Sequence, residues 1–290
     1  MKARILGSEL RSLSSDFVLR PTTFRGDAVE AATRAVEQGF DIVVAAGGDG
    51  TVNEVLNGIA AHPLGLLRTR LALIPLGTMN VFARELGIPT SVDSAIRLIK
   101  EASETLLDIG RIQYPQRYPP KVRYFAQLAG AGLDATAVEL VSWTLKKKLG
   151  AAAYLLATIR ALRRKCSLVV ETSGMQMQAE LVLIGNGKLY GGPLAVFPFA
   201  DLRDGKLDVC VFRKVNVTHL LAFCWGALRG KFLESSNIQR FSTAHLKLTP
   251  AGPNLVPLQL DGESAGKLPA EISVLPRGLR VIIGARQVLI

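Results

Sequence analysis

The sequence has little of what marks several large classes of protein. Its 290 residues include only three cysteines and three histidines, and aromatic side chains make up 6%. Because the cysteines lie far apart, they match neither a disulfide framework nor a zinc-ligand spacing. We expect buried thiols in a reducing compartment and structural or exposed histidines. The residues concerned are Cys166, Cys210, Cys224, His62, His219 and His245.

Long apolar runs are also missing. No segment reaches the roughly 18 apolar residues that a membrane-spanning helix needs, and residues 149–162 are interrupted by Arg160. Residues 1–4 are not followed by the apolar core of a signal peptide. These absences predict a soluble, cytoplasmic protein. The net charge of +11 predicts attraction to an anion, such as nucleotide phosphates or anionic lipid. Aromatic residues are not interleaved with the basic ones, which disfavours nucleic acid as a partner.

The length and the order of elements predict two domains. In the first part, apolar strands alternate with amphipathic helices, as in a parallel, doubly wound α/β sheet. From about residue 105, strands with alternating polarity dominate, which indicates antiparallel sheets. We expect an α/β domain over residues 1–107 and a mostly β domain over 108–271, with 272–290 open to either. The expected strands of the second part are 106–114, 123–129, 168–172, 178–185, 207–213, 239–249 and 256–260, with helical inserts at 136–163 and 217–232.

A glycine-rich loop, Gly47-Gly48-Asp49-Gly50-Thr51, lies between the strand expected at 41–46 and the helix expected at 51–61. Glycines allow the backbone to approach a ligand closely, and free N–H groups at a helix start attract phosphate. Asp49 would repel phosphate unless a cation or a hydroxyl intervenes, which suggests a magnesium ion or a proton-handling role. An aspartate that caps the next helix explains the pattern equally well.

A second loop, Pro75-Leu76-Gly77-Thr78-Met79-Asn80, repeats the order of strand, glycine, hydroxyl and helix. Loops at the carboxyl ends of neighbouring parallel strands flank one crevice, which is the usual ligand site of such a sheet. The alternative for Thr78 is again a helix cap. The pairing of the two loops favours a functional site.

Two acidic segments follow in the β part. Leu260-Asp261-Gly262-Glu263 places two carboxylates at a turn, where one could orient a substrate hydroxyl or take its proton. Residues 201–208 carry carboxylates and carbonyls suited to magnesium. The alternatives are an acidic surface turn and a hairpin at Asp204-Gly205.

Together these segments resemble the diacylglycerol kinase catalytic-domain family, which includes bacterial lipid kinases and the sphingosine and ceramide kinases. The resemblance rests on residues 47–55, 75–80, 191–192 with 204–208, and 260–263, which occur in family order and cover nearly the whole chain. It implies an α/β nucleotide-binding domain of the NAD-kinase and diacylglycerol-kinase type and a β-sandwich domain, with the active site between them. It also implies ATP and Mg²⁺ as cofactors.

The resemblance further assigns roles to individual residues. Glu263 matches the proposed proton acceptor, Asp261 would support it, and Asp49 matches the essential loop aspartate. Asp201, Asp204 and Lys206 match a magnesium-holding loop in which some ligands are backbone carbonyls. The implied ATP contacts are Thr22, Gly48, Asp49, Gly50, Thr51, Val52, Asn53, Glu54 and Thr78.

Two features differ from the family pattern. Members usually begin with a strand that ends in Asn-Pro, whereas this chain has no Asn-Pro pair and residues 3–13 look like the helix that follows that strand. Members specific for diacylglycerol commonly carry Asn-Asp in the second loop, where this chain has Asn80-Val81. The lipid is therefore left open between diacylglycerol-like and sphingoid-like alcohols.

A lipid kinase must reach a bilayer, and Trp143 with Lys146, Lys147 and Lys148, followed by basic residues at 160–165, is the expected peripheral contact. A helix packed on the β domain with charged ends in solvent is the favoured alternative for such a stretch. A homodimer is left open. Two rival functions remain: a kinase of the NAD-kinase type with a soluble substrate, and a nucleotide- or lipid-binding protein without catalysis.

Overall fold

A computed structural model of the chain describes residues 17–101, 103–115, 120–140, 160–162, 166–228 and 237–283. The chain divides into two compact units. Unit 1 comprises Met1–Leu107 and Arg277–Ile290, and unit 2 comprises Asp108–Pro276. The expected helix at 3–13 lies outside the described residues.

Unit 1 is an α/β unit in which strands alternate with helices. Strands β1 (Ile42–Gly47) and β2 (Arg70–Pro75) pair in parallel, with Gly47 opposite Pro75. On its other side, β2 pairs in parallel with the end of β16 (Ala270–Ile282), at Arg280 and Val281. The sequence left segment 272–290 open between the two domains, and its described part supplies a strand to this sheet through Arg280 and Val281. The helices are α1 (Asp27–Glu37), α2 (Asp49–Ala61), α3 (Gly65–Arg68), α4 (Val81–Glu85) and α5 (Val92–Glu101).

Unit 2 is a β-sandwich. One sheet has the antiparallel strand order 238–243, 207–212, 181–185, 128–132, 257–260 and 263–267. The facing strands of this unit are 175–179, 168–172, 245–250, the start of β16, 104–114 and 121–125. A single core cluster takes side chains from both layers, including Phe125, Leu248 and Ile272 from one and Ile184 and Val209 from the other. The two sheets therefore bury one shared apolar interior.

The elements of unit 2 have the following bounds: β3 (Glu104–Tyr114, beginning in unit 1), β4 (Lys121–Phe125), β5 (Leu128–Gly132), α6 (Leu133–Leu140), β6 (Leu168–Thr172), β7 (Met175–Ala179), β8 (Leu181–Gly185), β9 (Leu189–Tyr190), β10 (Leu194–Ala195), β11 (Leu207–Phe212), α7 (Val217–Leu228), β12 (Ile238–Thr243), β13 (His245–Pro250), β14 (Pro257–Leu260) and β15 (Glu263–Lys267).

Helices α6 and α7 cover the outer face of the six-stranded sheet. Leu133 and Leu220 from the helices pack with Leu183, Cys210 and Phe212 from the strands. Since β8 is covered on both faces, all five of its residues are buried rather than alternately exposed. Cys210 is fully buried in this core, as expected, and burial raises the pKa of its thiol to about 11.

Three strands expected from the sequence are each divided in two. The expected strand at 123–129 divides at 126–127, the one at 178–185 at Glu180, and the one at 239–249 at Ala244. In all three cases the chain passes from one layer of the sandwich to the other. Alternating polarity continues through such a corner because both halves face the same core, so the pattern could not reveal the bend.

The close packing of α1 on α2 depends on Gly58. A Cβ atom there would lie 2.4 Å from the carbonyl oxygen of Val29 and 2.7 Å from Cβ of Ala32, both in α1. The hydroxyl of Thr33 also donates a hydrogen bond to the carbonyl of Gly58 at 3.1 Å. The backbone oxygen cannot move without disturbing α1, so glycine is required at this contact.

We expect Gly58→Ala to destabilise the protein by about 1–3 kcal/mol, since the added methyl group overpacks the helix contact. Thermal unfolding followed by circular dichroism measures the effect. Gly252→Ala is the matched control because a Cβ at Gly252 meets nothing within 4 Å. Equal melting temperatures for the two variants would contradict the assigned role of Gly58.

Candidate active site

The two glycine-rich loops of unit 1 touch through their backbones. A Cβ on Gly77 would lie 2.5 Å from Cα of Gly48, and a Cβ on Gly48 would lie 3.2 Å from Cα of Gly77. The N–H of Leu76 donates to the carbonyl of Gly47 at 2.9 Å. The loops therefore lie side by side at the carboxyl ends of β1 and β2, and glycine at position 77 is needed for this approach.

Asp49 connects the two loops. Its Oδ1 accepts hydrogen bonds from the backbone N–H of Val81 at 2.6 Å and of Phe82 at 3.4 Å. These N–H groups begin α4, so the carboxylate caps a helix of the neighbouring loop. Its own helix α2 follows the N-cap residue Gly48 and has no side-chain cap. The helix-cap alternative thus identified a real interaction but assigned it to the wrong helix.

Asn80 fixes the shape of the second loop. Its Oδ1 accepts from the N–H of Gly77 at 3.0 Å, and its Nδ2 donates to the carbonyl of Gly77 at 2.8 Å. The residue itself has a left-handed backbone, with φ of 47°, which asparagine tolerates better than most residues. The exposed Thr78 lies within this closed turn.

The residues expected to contact ATP fall into two groups. Gly48, Asp49, Gly50 and Thr51 are half-buried at the start of α2. By contrast, the side chains of Val52 and Asn53 are buried in the unit. Glu54 uses both carboxylate oxygens to cap α1, accepting from the N–H groups of Gly26 at 2.9 Å and Ala28 at 3.2 Å. Val52, Asn53 and Glu54 therefore stabilise the loop through contacts inside the unit.

Three threonine side chains line one broad hollow in unit 1. Thr22, Thr51 and Thr78 all line it, together with the basic residues Arg20 and Arg84. Arg84 is held by its Nε, which donates to the carbonyl of Met79 at 2.6 Å. The sequence reasoning did not single out either arginine, although a basic side chain next to a glycine-rich loop is a usable signal for phosphate.

In unit 2, Asp261 anchors the acidic turn. Its Oδ2 accepts from the N–H of Ala126 at 2.9 Å, and its Oδ1 accepts from those of Gln127 and Leu128, both at 3.0 Å. These are the residues at which the chain crosses between sheets, so the carboxylate satisfies backbone groups that neither sheet pairs. The half-buried Glu263 follows two residues later, at the start of β15 opposite Leu260.

A buried polar network holds the same turn from inside. Gln259 accepts the N–H of Gly262 at 2.8 Å and donates through Nε2 to Oδ2 of Asp134 at 2.7 Å. The other oxygen of Asp134 is hydrogen-bonded to the hydroxyl of Tyr190. Burial raises the pKa of Asp134, and the bonds from Tyr190 and Gln259 oppose that shift. Sequence patterns could not reveal this network, because Gln259 and Asp134 lie 125 positions apart in the chain.

The expected magnesium loop at 201–206 is fastened by Asp108. This fully buried residue accepts the N–H of Gly205 through Oδ2 at 2.7 Å, and its own N–H donates to the carbonyl of Leu202 at 2.7 Å. Asn186 then donates to the carbonyls of Asp108 at 2.8 Å and of Ala126 at 2.7 Å. Through these bonds, the magnesium loop and the acidic turn belong to one connected assembly within unit 2.

The loop offers oxygen ligands of the kind that a divalent metal prefers. Asp201 accepts the N–H of Arg203 and Asp204 accepts that of Lys206, in each case through Oδ1, and both side chains are exposed. Among the described residues, no three His, Cys, Asp or Glu side chains form a group able to hold a metal. An ion here would need backbone carbonyls or water as further ligands, which fits Mg²⁺. The ammonium group of Lys206 is not a ligand.

The segment expected to contact a membrane, with Trp143 and Lys146 to Lys148, lies outside the described residues. Within the part of the chain that is described, no helix is long and apolar enough to cross a bilayer.

Comparison with known proteins relates both units to one group of enzymes. Residues 3–112 match the family "Diacylglycerol kinase catalytic domain", and residues 127–283 match "YegS C-terminal NAD kinase beta sandwich-like domain". The diacylglycerol kinase of Bacillus subtilis is 34% identical over 267 residues, covering 90% of this chain and 84% of the relative. That of Staphylococcus carnosus is 31% identical over 260 residues, covering 88% and 81%.

A solved structure shows the same architecture. A Bacillus anthracis (strain Sterne) protein described as a candidate diacylglycerol kinase aligns with a TM-score of 0.75 at 27% identity, covering 96% of this chain and 90% of its own. The expected fold, an α/β unit followed by a β-sandwich, is confirmed.

The raised pKa of Asp134 makes a stability prediction. Because the folded protein resists ionisation of this group, the free energy of unfolding contributed by Asp134 is present below the ordinary aspartate value of 3.8 and is lost as the pH rises through the raised value. Asp134→Asn removes the titration. We expect urea unfolding at a series of pH values to show the wild type losing stability relative to this variant above pH 3.8. A constant difference would contradict the assigned burial cost.

Proposed function

Because the chain belongs to the diacylglycerol kinase catalytic-domain family, we propose that it transfers the γ-phosphate of ATP to a hydroxyl group of a lipid. Family membership supports a kinase with an alcohol group as acceptor. The proposal adds ATP as donor and a diacylglycerol-like or sphingoid-like lipid as acceptor. The observation that carries it is the backbone contact of two glycine-rich loops beside three threonine hydroxyls in one hollow.

That hollow has the groups that a nucleotide needs. The N–H groups at the start of α2 and the hydroxyls of Thr22, Thr51 and Thr78 are donors for phosphate oxygens. Arg20 and Arg84 add positive charge. In our proposal Gly48 to Thr51 approach the phosphates, whereas Val52, Asn53 and Glu54 act by holding the loop. Most of the rate acceleration in phosphoryl transfer comes from such positioning and charge stabilisation.

The carboxylate of Asp49 adds to this arrangement in two ways. It holds the second loop against the first through Val81. Its negatively charged carboxylate oxygens can also interact with a divalent metal, or with water bound to that metal, near the phosphates. When bound, Mg²⁺ supplies charge neutralisation for the transferred group. In unit 2, Asp201, Asp204 and the carbonyl of Lys206 would hold another Mg²⁺ ion. That ion would stabilise the conformation of the loop at 201–206.

Glu263 is proposed to take the proton from the lipid hydroxyl as that oxygen attacks the γ-phosphorus. The bond from this phosphorus to the bridging oxygen of ATP breaks, and ADP leaves. A carboxylate does this only within hydrogen-bond reach of the hydroxyl, so its position must be fixed. Asp261 and Gln259 supply that fixation by holding the turn that precedes it. Asp261 is therefore a positioning residue in this proposal.

A direct test is to incubate the full-length chain with γ-labelled ATP, Mg²⁺ and separate lipid alcohols, with NAD as an additional acceptor. We expect label in a lipid and none in NAD. Label in NAD alone would favour the rival NAD-kinase activity, to which the name of the second matched domain gives some support. No label in any acceptor would favour a nucleotide- or lipid-binding protein without catalysis.

Asp49→Asn tests the role of the loop aspartate. Asparagine keeps an Oδ1 that can accept from Val81 and Phe82, so the fold should be retained, while the negative charge is lost. We expect turnover to fall by at least about 100-fold, as when one charge-stabilising group is removed from an active site. Initial rates of lipid phosphorylation and melting temperatures measure the two effects.

The control for this variant is Asp93→Asn, which removes an exposed carboxylate from α5 in the same unit. It should leave turnover unchanged. Wild-type turnover in Asp49→Asn would refute a role for the charge. A second variant, Asp49→Ala, should also lower stability by about 0.5–2 kcal/mol because α4 loses its cap.

A further inference from the structure

Helix α7 of unit 2 has an apolar stripe on its outer side. Val217, Leu221 and Trp225 follow one another at intervals of four residues, so they lie on one face of the helix. They are 40%, 50% and 57% exposed. Apart from Thr218, His219 and Cys224, every residue of the helix is apolar, and none is charged. A helix of this composition is unusual on a surface that faces only water.

The stripe is separate from the side by which α7 packs on the sheet. Leu220 and Ala227 are buried in the cluster that covers the six-stranded sheet. Phe223 packs edge to face on Phe212, with 4.9 Å between ring centroids. The apolar character of the helix is therefore not explained by its contact with the sheet alone, because that contact uses other residues.

Two basic residues precede the stripe along the chain. Arg213 and Lys214 are exposed just before the helix begins. Glu180, an acid close to the start of the helix, accepts the N–H of Val215 through Oε2 at 2.7 Å. With a net charge of +11 for the chain, this face is complementary to an anionic surface.

From this combination we propose that Val217, Leu221 and Trp225 dock the protein on an anionic lipid bilayer. The choice of a bilayer rests on the proposed lipid substrate, which is available only at a membrane. Leucine and tryptophan on one side of a helix insert at the boundary of headgroups and acyl chains, and adjacent arginine and lysine contact anionic headgroups. Trp225 is the anchor, since indole rings favour this interface.

A second copy of the chain fits the stripe less well. Three partly exposed side chains present roughly 300 Å² of apolar surface, similar to the patches found on monomers. A stable dimer buries about 800 Å² on each partner.

Vesicle sedimentation with the full-length chain tests the docking surface. The probes are phosphatidylcholine vesicles with and without phosphatidylglycerol. We expect the variant Leu221→Gln with Trp225→Gln to partition at least about tenfold more weakly. Arg213→Gln with Lys214→Gln should lose about tenfold on the anionic vesicles only. Leu67→Gln, which changes a residue 67% exposed in unit 1, is the matched control and should bind like the wild type.

Activity measurements separate docking from a general loss of structure. The Leu221 and Trp225 variant should lose phosphorylation of a vesicle-embedded lipid alcohol and keep that of a short-chain, water-soluble one. Equal losses on both would refute docking, as would unchanged partitioning of the two double variants. The Leu221 and Trp225 variant could have a lower melting temperature than the wild type. In that case the Arg213 and Lys214 variant is the test, because it changes exposed side chains only.

The outcomes also distinguish this proposal from the proposed function. Vesicle binding that depends on the stripe, with no labelled lipid, would reject the kinase reaction and leave the docking surface in place. Labelling of a soluble lipid alcohol with stripe-independent vesicle binding would do the reverse. A wild-type dimer that becomes a monomer in the Leu221 and Trp225 variant, seen by light scattering, would identify the stripe as a contact between copies and overturn docking.

Discussion

The carboxylate of Asp261 accepts hydrogen bonds from three successive backbone N–H groups, those of Ala126, Gln127 and Leu128. These groups lie where the chain leaves one sheet of the sandwich and enters the other, so neither sheet can pair them. An unpaired buried N–H costs about 1–3 kcal/mol, and here one side chain prevents three such losses. The corner and the acidic turn therefore depend on each other, and the position of Glu263 follows from both.

In unit 1 the corresponding constraint is the contact of Gly48 with Gly77. Two loops that follow neighbouring parallel strands are brought together by the sheet, but a side chain at Gly77 would hold them apart. Asp49 and Asn80 then fix the loops from either side through backbone hydrogen bonds. Loops held together in this way suit the proposed phosphoryl transfer, which depends on positioning more than on chemical groups supplied by the protein.

Local patterns predicted the elements well and their distant partners poorly. The strand expected at 41–46 is β1 (Ile42–Gly47), since an apolar run that ends in glycine is a strong local signal. The corners at Glu180 and Ala244 do not interrupt the alternating polarity of the sequence, because both halves of each expected strand face one core. Local sequence also could not show which helix Asp49 caps, or that Asp134 lies against Gln259. These contacts depend on the order of strands in the sheets, and the spacing of residues along the chain does not predict that order.

The same contacts resolve a difficulty raised by the sequence, that a loop carboxylate repels phosphate. Two acids, Asp49 and Glu54, lie in or next to the first loop of unit 1. Each accepts hydrogen bonds from backbone N–H groups at the start of a neighbouring helix, α4 for Asp49 and α1 for Glu54. Helix starts carry partial positive charge, which offsets these negative charges where they lie. Arg20 and Arg84, which line the hollow, are then opposed by less negative charge. The nucleotide that we propose as ligand would therefore meet these two arginines, although the loop contains an aspartate.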